Sequence, residues 1–155
     1  MSLVKLAAVC WTSALLLIAS AAQAGAQQTA LSTTGSPGTF TISTATAGSQ
    51  PLTLTNSATS YSVTAKNSAG PKKIIAQLDA PMPFGTTLTV NMVAPSGATS
   101  MGAVALDATT RDIVINIVKE NSVTQGITYT FAATAAAGVI PAQSRTVTFT
   151  LVNYP

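Results

Sequence analysis

The chain has 155 residues, 47% of them hydrophobic and only 7% charged, with 7 Lys+Arg against 4 Asp+Glu, one Cys, one Trp and no His. Without histidine the usual general base, proton shuttle and commonest metal ligand are missing. An apolar, weakly charged composition is also the reverse of what keeps a chain disordered.

Residues 1–24 read as an export signal. A short n-region ends at Lys5 and an apolar h-region runs from Leu6 to Ile18. Ala22-Gln23-Ala24 and then Ala24-Gly25-Ala26 offer small-x-small sites, so cleavage is expected after Ala24 or Ala26. The about 13 apolar residues fall short of the ~20 that span a bilayer, so membrane contact is expected only during export. Cys10 precedes most of the apolar run, unlike a lipid-bearing cysteine, and leaves with Trp11 when the signal is cut. The mature chain of about 130 residues then has no disulfide to lean on. It is long enough to bury one core. Without Lys5, six basic and four acidic residues remain, a net charge near +2. The pI of about 9.3 thus reflects few charges, not a basic patch, and no nucleic-acid partner is expected.

Residues 25–38, rich in Ser, Thr, Gly and Gln, read as a flexible lead, and 39–155 as a single domain. From Thr39 the pattern has period two. Thr39-Phe40-Thr41-Ile42, Leu52-Thr53-Leu54-Thr55, Tyr61-Ser62-Val63-Thr64 and Thr87-Leu88-Thr89-Val90-Asn91-Met92 alternate polar and apolar. Asp112–Ile117 is more apolar, as expected of a strand covered on both faces. Ile127–Phe131 and Thr146–Leu151 resume the alternation. Turn residues punctuate these runs at Ser36-Pro37-Gly38, Gly70-Pro71, Pro83-Phe84-Gly85 and Pro95-Ser96-Gly97. Ala132–Ala137 is too short for a helix and reads as a strand end entering a hairpin loop. Eight or nine short strands of this kind predict an all-β chain, an Ig-like β-sandwich, with a closed barrel as the alternative. The expected core includes Phe40, Ile42, Leu52, Leu54, Val63, Ile74, Leu78, Leu88, Val90, Ile113, Ile115, Ile117, Tyr129, Phe131, Val147, Phe149 and Leu151.

The chemistry-bearing residues are sparse. Ser-His and Cys-His arrangements are impossible in the mature chain, and Ser62 with Lys66 reads as a solvent-facing row on one strand face. No phosphate-cradling or dinucleotide Gly motif occurs. The acids Asp79, Asp107, Asp112 and Glu120 are expected to be solvated charges, Asp112 near Arg111 and Glu120 beside Lys119. A Ca²⁺ site from Asp107 and Asp112 lacks the spaced acidic loop such a site uses. No enzyme activity, cofactor or metal is expected. One covalent option is a Lys–Asn amide cross-link joining Asn153 to Lys66 or Lys73.

Ile127-Thr-Tyr-Thr-Phe-Ala-Ala-Thr-Ala-Ala-Ala-Gly-Val-Ile-Pro141 followed by Arg145-Thr-Val-Thr-Phe-Thr-Leu151 resembles the final hairpin of bacterial fimbrial subunits, where a loop Gly precedes a Thr/Val-alternating last strand. Exported bacterial proteins of this length without an assigned activity look similar too. The chain departs from fimbrial subunits in having no disulfide. Its penultimate Tyr154 also falls on the opposite parity from Val147, Phe149 and Leu151. The resemblance implies a secreted, periplasmic or cell-surface structural protein. Such a fimbria-like subunit would assemble with itself or other surface proteins through sheet edges. Thr39–Ala47 is the candidate donor strand, with Phe40 and Ile42 as apolar plugs; its other reading is the domain's own first strand. The alternative function is a soluble carbohydrate-binding or adhesin-like module, with Tyr61, Phe84, Asn91 and Tyr154 as exposed binding residues.

Overall fold

A computed structural model describes residues 29–43, 49–50, 53–66 and 70–155. The expected signal 1–24 with its cleavage sites, Leu52, and positions 44–47 of the candidate donor lie outside the described residues. The nine strands are β1 (Thr29–Thr34), β2 (Leu54–Ala65), β3 (Lys72–Leu78), β4 (Thr86–Met92), β5 (Thr99–Ser100), β6 (Val104–Ala105), β7 (Arg111–Ile117), β8 (Val123–Ala133) and β9 (Val147–Asn153). They form two antiparallel sheets, ordered β1-β2-β8-β4-β6 and β5-β7-β3-β9. Among the described residues no helix is long and apolar enough to cross a membrane.

Alternation builds the core. On β2, Tyr61, Val63 and Ala65 are buried while Ser60, Ser62 and Thr64 are not. Their partners inward from the same sheet are Val90, Met92, Ile127 and Tyr129, and the other sheet answers with Ile74, Ala76, Leu78, Ile113, Val114 and Ile117 in one continuous cluster. Two sheets sharing one apolar layer make an Ig-like β-sandwich rather than a closed barrel. Truncating a fully buried member such as Ile74 to Ala would cost about 2–5 kcal/mol.

Four expectations change. Thr29–Thr34, assigned to the flexible lead, is a strand paired with Ser60–Ala65. Its two apolar residues, Ala30 and Leu31, are adjacent and give no readable alternation, and the pairing is long-range. Thr39–Ser43 has no regular secondary structure, so this part of the donor candidate is not the domain's first strand. On β7, Ile113 and Val114 are both buried and Ile115 only partly. Asn116 sits at φ 58, and the register against β3 shifts twice nearby, which breaks strict parity. Finally, β8 and β9 are not a hairpin. They belong to different sheets. The Ala-rich stretch ends β8 at Ala133, turns through a short 3₁₀ segment at Ala135–Ala137, and the chain then crosses to the other sheet through Gly138 and Pro141.

Candidate functional site

Strand β9 lies at the edge of its sheet, paired only with β3 among the described residues. Its register runs unbroken from Lys72↔Asn153 to Leu78↔Val147. Two bonds just beyond the strand ends fix the phase: Tyr154 N donates to Pro71 O at 2.9 Å, and Asp79 N donates to Thr146 O at 3.1 Å. Antiparallel bonding alternates residue by residue. The N–H and C=O of Thr148, Thr150 and Val152 therefore face β3, while those of Val147, Phe149, Leu151 and Asn153 face outward. The side chains of Val147, Phe149 and Leu151 pack on the core but stay only partly buried. Strand β1, the outer strand of the other sheet, approaches β9 on this flank and contributes half-buried Leu31. The result is a seam with an apolar floor and, along one side, backbone groups that no described residue pairs with.

Natural sheets blunt such edges with Lys, Pro, bulges or very short strands. The opposite edges, β5 and β6, are two residues each. In contrast β9 runs seven residues, Val-Thr-Phe-Thr-Leu-Val-Asn, with no Pro, no charge and no register shift.

A second feature lies where β3 and β8 end and β4 begins. Here the sandwich opens into a cleft of about 680 Å³ lined by Phe40, Ile42, Leu88, Tyr129, Phe131 and Val147 among others. Phe40 packs on Phe131 with ring centroids 6.1 Å apart. The two proposed plugs thus sit at their own domain's cleft. Burial pushes the Tyr129 phenol up to about 12.

The other candidate residues are not brought together. Tyr61, expected on the surface, is fully buried, and its hydroxyl donates to Val93 O at 2.6 Å. Burial, and secondarily the Glu120 carboxylate, hold its phenol far above the ordinary tyrosine range. The reason is parity: Tyr61 shares a strand face with core Val63. Phe84 is 82% exposed at the β3–β4 turn. Half-buried Tyr154 lies beside Pro71 at the opposite end of β3, roughly 20 Å along the strand. Asn91 is exposed on β4 and accepts from Ser100 Oγ.

The acids also differ from expectation. Arg111 pairs with Asp107, not Asp112, because the Asp107 loop also accepts from Thr109 N at 2.8 Å and turns the carboxylate toward β7. The Arg111 hydrogen bond, then those of Thr109, hold that carboxyl well below the usual range. Asp112 instead meets Lys73 at 2.9 Å across the β3–β7 pair. With each carboxylate taken by a different cation, Asp107 and Asp112 do not converge on a calcium site. Among the described residues no three Asp, Glu, Cys or His gather to hold a metal. Glu120 is buried, not solvated, because the β7–β8 loop folds back so that Ala65 N donates to its carbonyl at 2.8 Å. Lys119 and Ser122 adopt φ 55 and 56 to make that turn. For the cross-link option, it is Lys72 rather than Lys66 or Lys73 that faces Asn153 and donates to its Oδ1.

Comparison with protein-family models, with curated proteins and with solved structures gave no match to this chain. The functional reading therefore rests on the geometry above.

Proposed function

We propose that the protein is a non-catalytic structural protein exported to a bacterial periplasm, surface or medium, a fimbria-like subunit that assembles with copies of itself through its sheet edges. One observation carries this reading: among the described residues nothing pairs with the outward backbone groups of β9, which lie above half-covered Val147, Phe149 and Leu151 on a strand without Pro, charge or register shift. A strand supplied by a neighbouring copy would take up those hydrogen bonds and cover that apolar row in one step. Like-charge repulsion between copies is weak, since only 7% of the chain is charged and its net charge is small. An edge that accepts a strand presented elsewhere on the next copy makes a head-to-tail contact, which closes into rings or extends into filaments.

The test is electron microscopy of the surface and secreted fractions of the native host, alongside sedimentation of the purified mature protein. Filaments or rings that disappear when the gene is deleted are the expected result. Monomer alone in both fractions, at every concentration sedimented, rejects the proposal.

A further inference from the structure

We infer that the end cleft is a binding site for an anionic single-chain lipid. The acyl tail would lie among Phe40, Ile42, Leu88 and Phe131, an acyl carbonyl oxygen on the Tyr129 hydroxyl, and the anionic head on the Arg145 guanidinium. This does not rest on the assembly reading, since the cleft occupies one end of the sandwich and shares only Val147 with the β9 edge.

Three observations converge. The first is size and lining: about 680 Å³ is within the range of small-molecule sites, and the walls are mainly aliphatic and aromatic. The second is charge. Arg145 is the single charged residue in the lining, which contains no carboxylate. Its guanidinium is fixed in place by Nε donating to Pro81 O at 3.0 Å, Nη1 to Ser144 O at 2.9 Å and Nη2 to Gln143 Oε1 at 2.7 Å. All three acceptors are neutral, and the five-donor guanidinium keeps one further N–H on each Nη. A cation hydrogen-bonded only to neutral oxygens, with no carboxylate in ion-pair range among the described residues, is available to take an anion.

The third observation is Tyr129. It is 4% exposed, and its hydroxyl, which makes no hydrogen bond to the described residues, is not sealed in the core but stays reachable by solvent. Tyr61 differs: its fully buried hydroxyl is already committed to Val93 O. Here the ring lines the cleft, so an acceptor arriving inside it would complete the bond. Ser and Thr hydroxyls and Gln143 are also in the lining, so a sugar is the competing occupant that the experiment has to exclude. An acyl chain with one carbonyl and one negative head matches the mainly apolar lining, the Tyr129 hydroxyl and the single cation among the described lining residues.

The experiment uses the mature protein with lauroyl-lysophosphatidylglycerol, its zwitterionic lysophosphatidylcholine counterpart and maltose, each below any micelle-forming concentration. Native mass spectrometry reads stoichiometry and titration calorimetry reads affinity. A one-to-one complex with the anionic lipid, about ten-fold tighter than with the zwitterion, is expected. Tyr129→Phe should weaken it about five-fold and Arg145→Gln by at least as much. Ile42→Glu, on a segment outside any strand, should abolish it while leaving the melting curve intact. No saturable complex, equal affinity for both lipids, affinity unmoved by all three substitutions, or saturable binding of maltose instead would each overturn the inference.

Discussion

Proline placed at two positions of β9 should have opposite consequences although they are three residues apart. The phase of the β3–β9 ladder puts the Thr150 N–H on the Ile75 carbonyl, whereas the Asn153 N–H faces outward. Thr150→Pro removes that ladder bond and leaves a half-buried carbonyl without its donor, a loss of about 1–3 kcal/mol before any steric strain from the ring. At this domain size each kcal/mol moves the melting temperature by roughly 3–5 °C, so a drop of about 4–12 °C is expected. Asn153→Pro breaks no ladder bond. It forfeits only the exposed contact with Lys72, worth less than about 1 kcal/mol, and should melt within about 4 °C of the parent. Its effect falls on assembly. Combined with Val147→Pro at the first residue of the strand, where proline is tolerated, it takes two outward donors from the row and places rings in the path of an incoming strand. Thermal melts followed by circular dichroism, together with sedimentation velocity, read both properties. Equal destabilisation by Thr150→Pro and Asn153→Pro would show the ladder phase to be wrong. A double variant that assembles like the parent would show that β9 is not the edge in use.

Other substitutions report on the frame that holds this edge. Tyr61→Phe leaves the Val93 carbonyl without its buried donor and should cost about 1–2 kcal/mol in urea unfolding with an unchanged m-value; a loss below about 0.3 kcal/mol would mean the bond is not made. Gly85 sits at φ +73, and a Cβ there would lie 2.8–2.9 Å from Ala137, including its backbone. Gly85→Ala should therefore destabilise by roughly 1–3 kcal/mol and loosen the Thr134 N–Gly85 O tie between the two loops; a neutral variant would refute the close approach. Asp107 has its folded-state carboxyl depressed by Arg111 and Thr109. Its contribution is thus fully present above the unfolded value near 3.9 and is lost as pH falls below it. Being open to solvent, it should be small and fade in high salt, and Asp107→Asn should flatten this acid limb of the stability profile. A steeper acid limb in the variant would reverse the sign argument.

The strands themselves were largely legible because half-buried strands leave a period-two record, as at Tyr61–Ala65, Thr86–Met92 and Val147–Leu151. Tyr61 was misplaced by its chemistry, not its pattern: two residues from Val63, it had to share the core face. What failed was information that the local pattern does not hold. Strand β1 has only the adjacent Ala30 and Leu31 as apolar residues, and its pairing with β2 is set from the far side of a long connection. Parity on β7 broke at Asn116, whose positive φ is a backbone event with no composition signal beyond Asn itself. That β8 and β9 occupy different sheets, and that β9 ends as an edge, depends on strand order, which alternation alone does not encode. The end cleft was likewise invisible. It forms where the irregular segment around Phe40 meets the loop carrying Arg145, so Tyr129 read simply as core.

Residue-resolved amide hydrogen exchange along β9, before and after assembly, tests the central claim most directly. In the monomer, Thr148, Thr150 and Val152 should be protected by β3 while Val147, Phe149, Leu151 and Asn153 exchange freely; in the assembled form the outward set should become protected as well. Outward amides that stay fast in the assembled protein would contradict strand addition at β9.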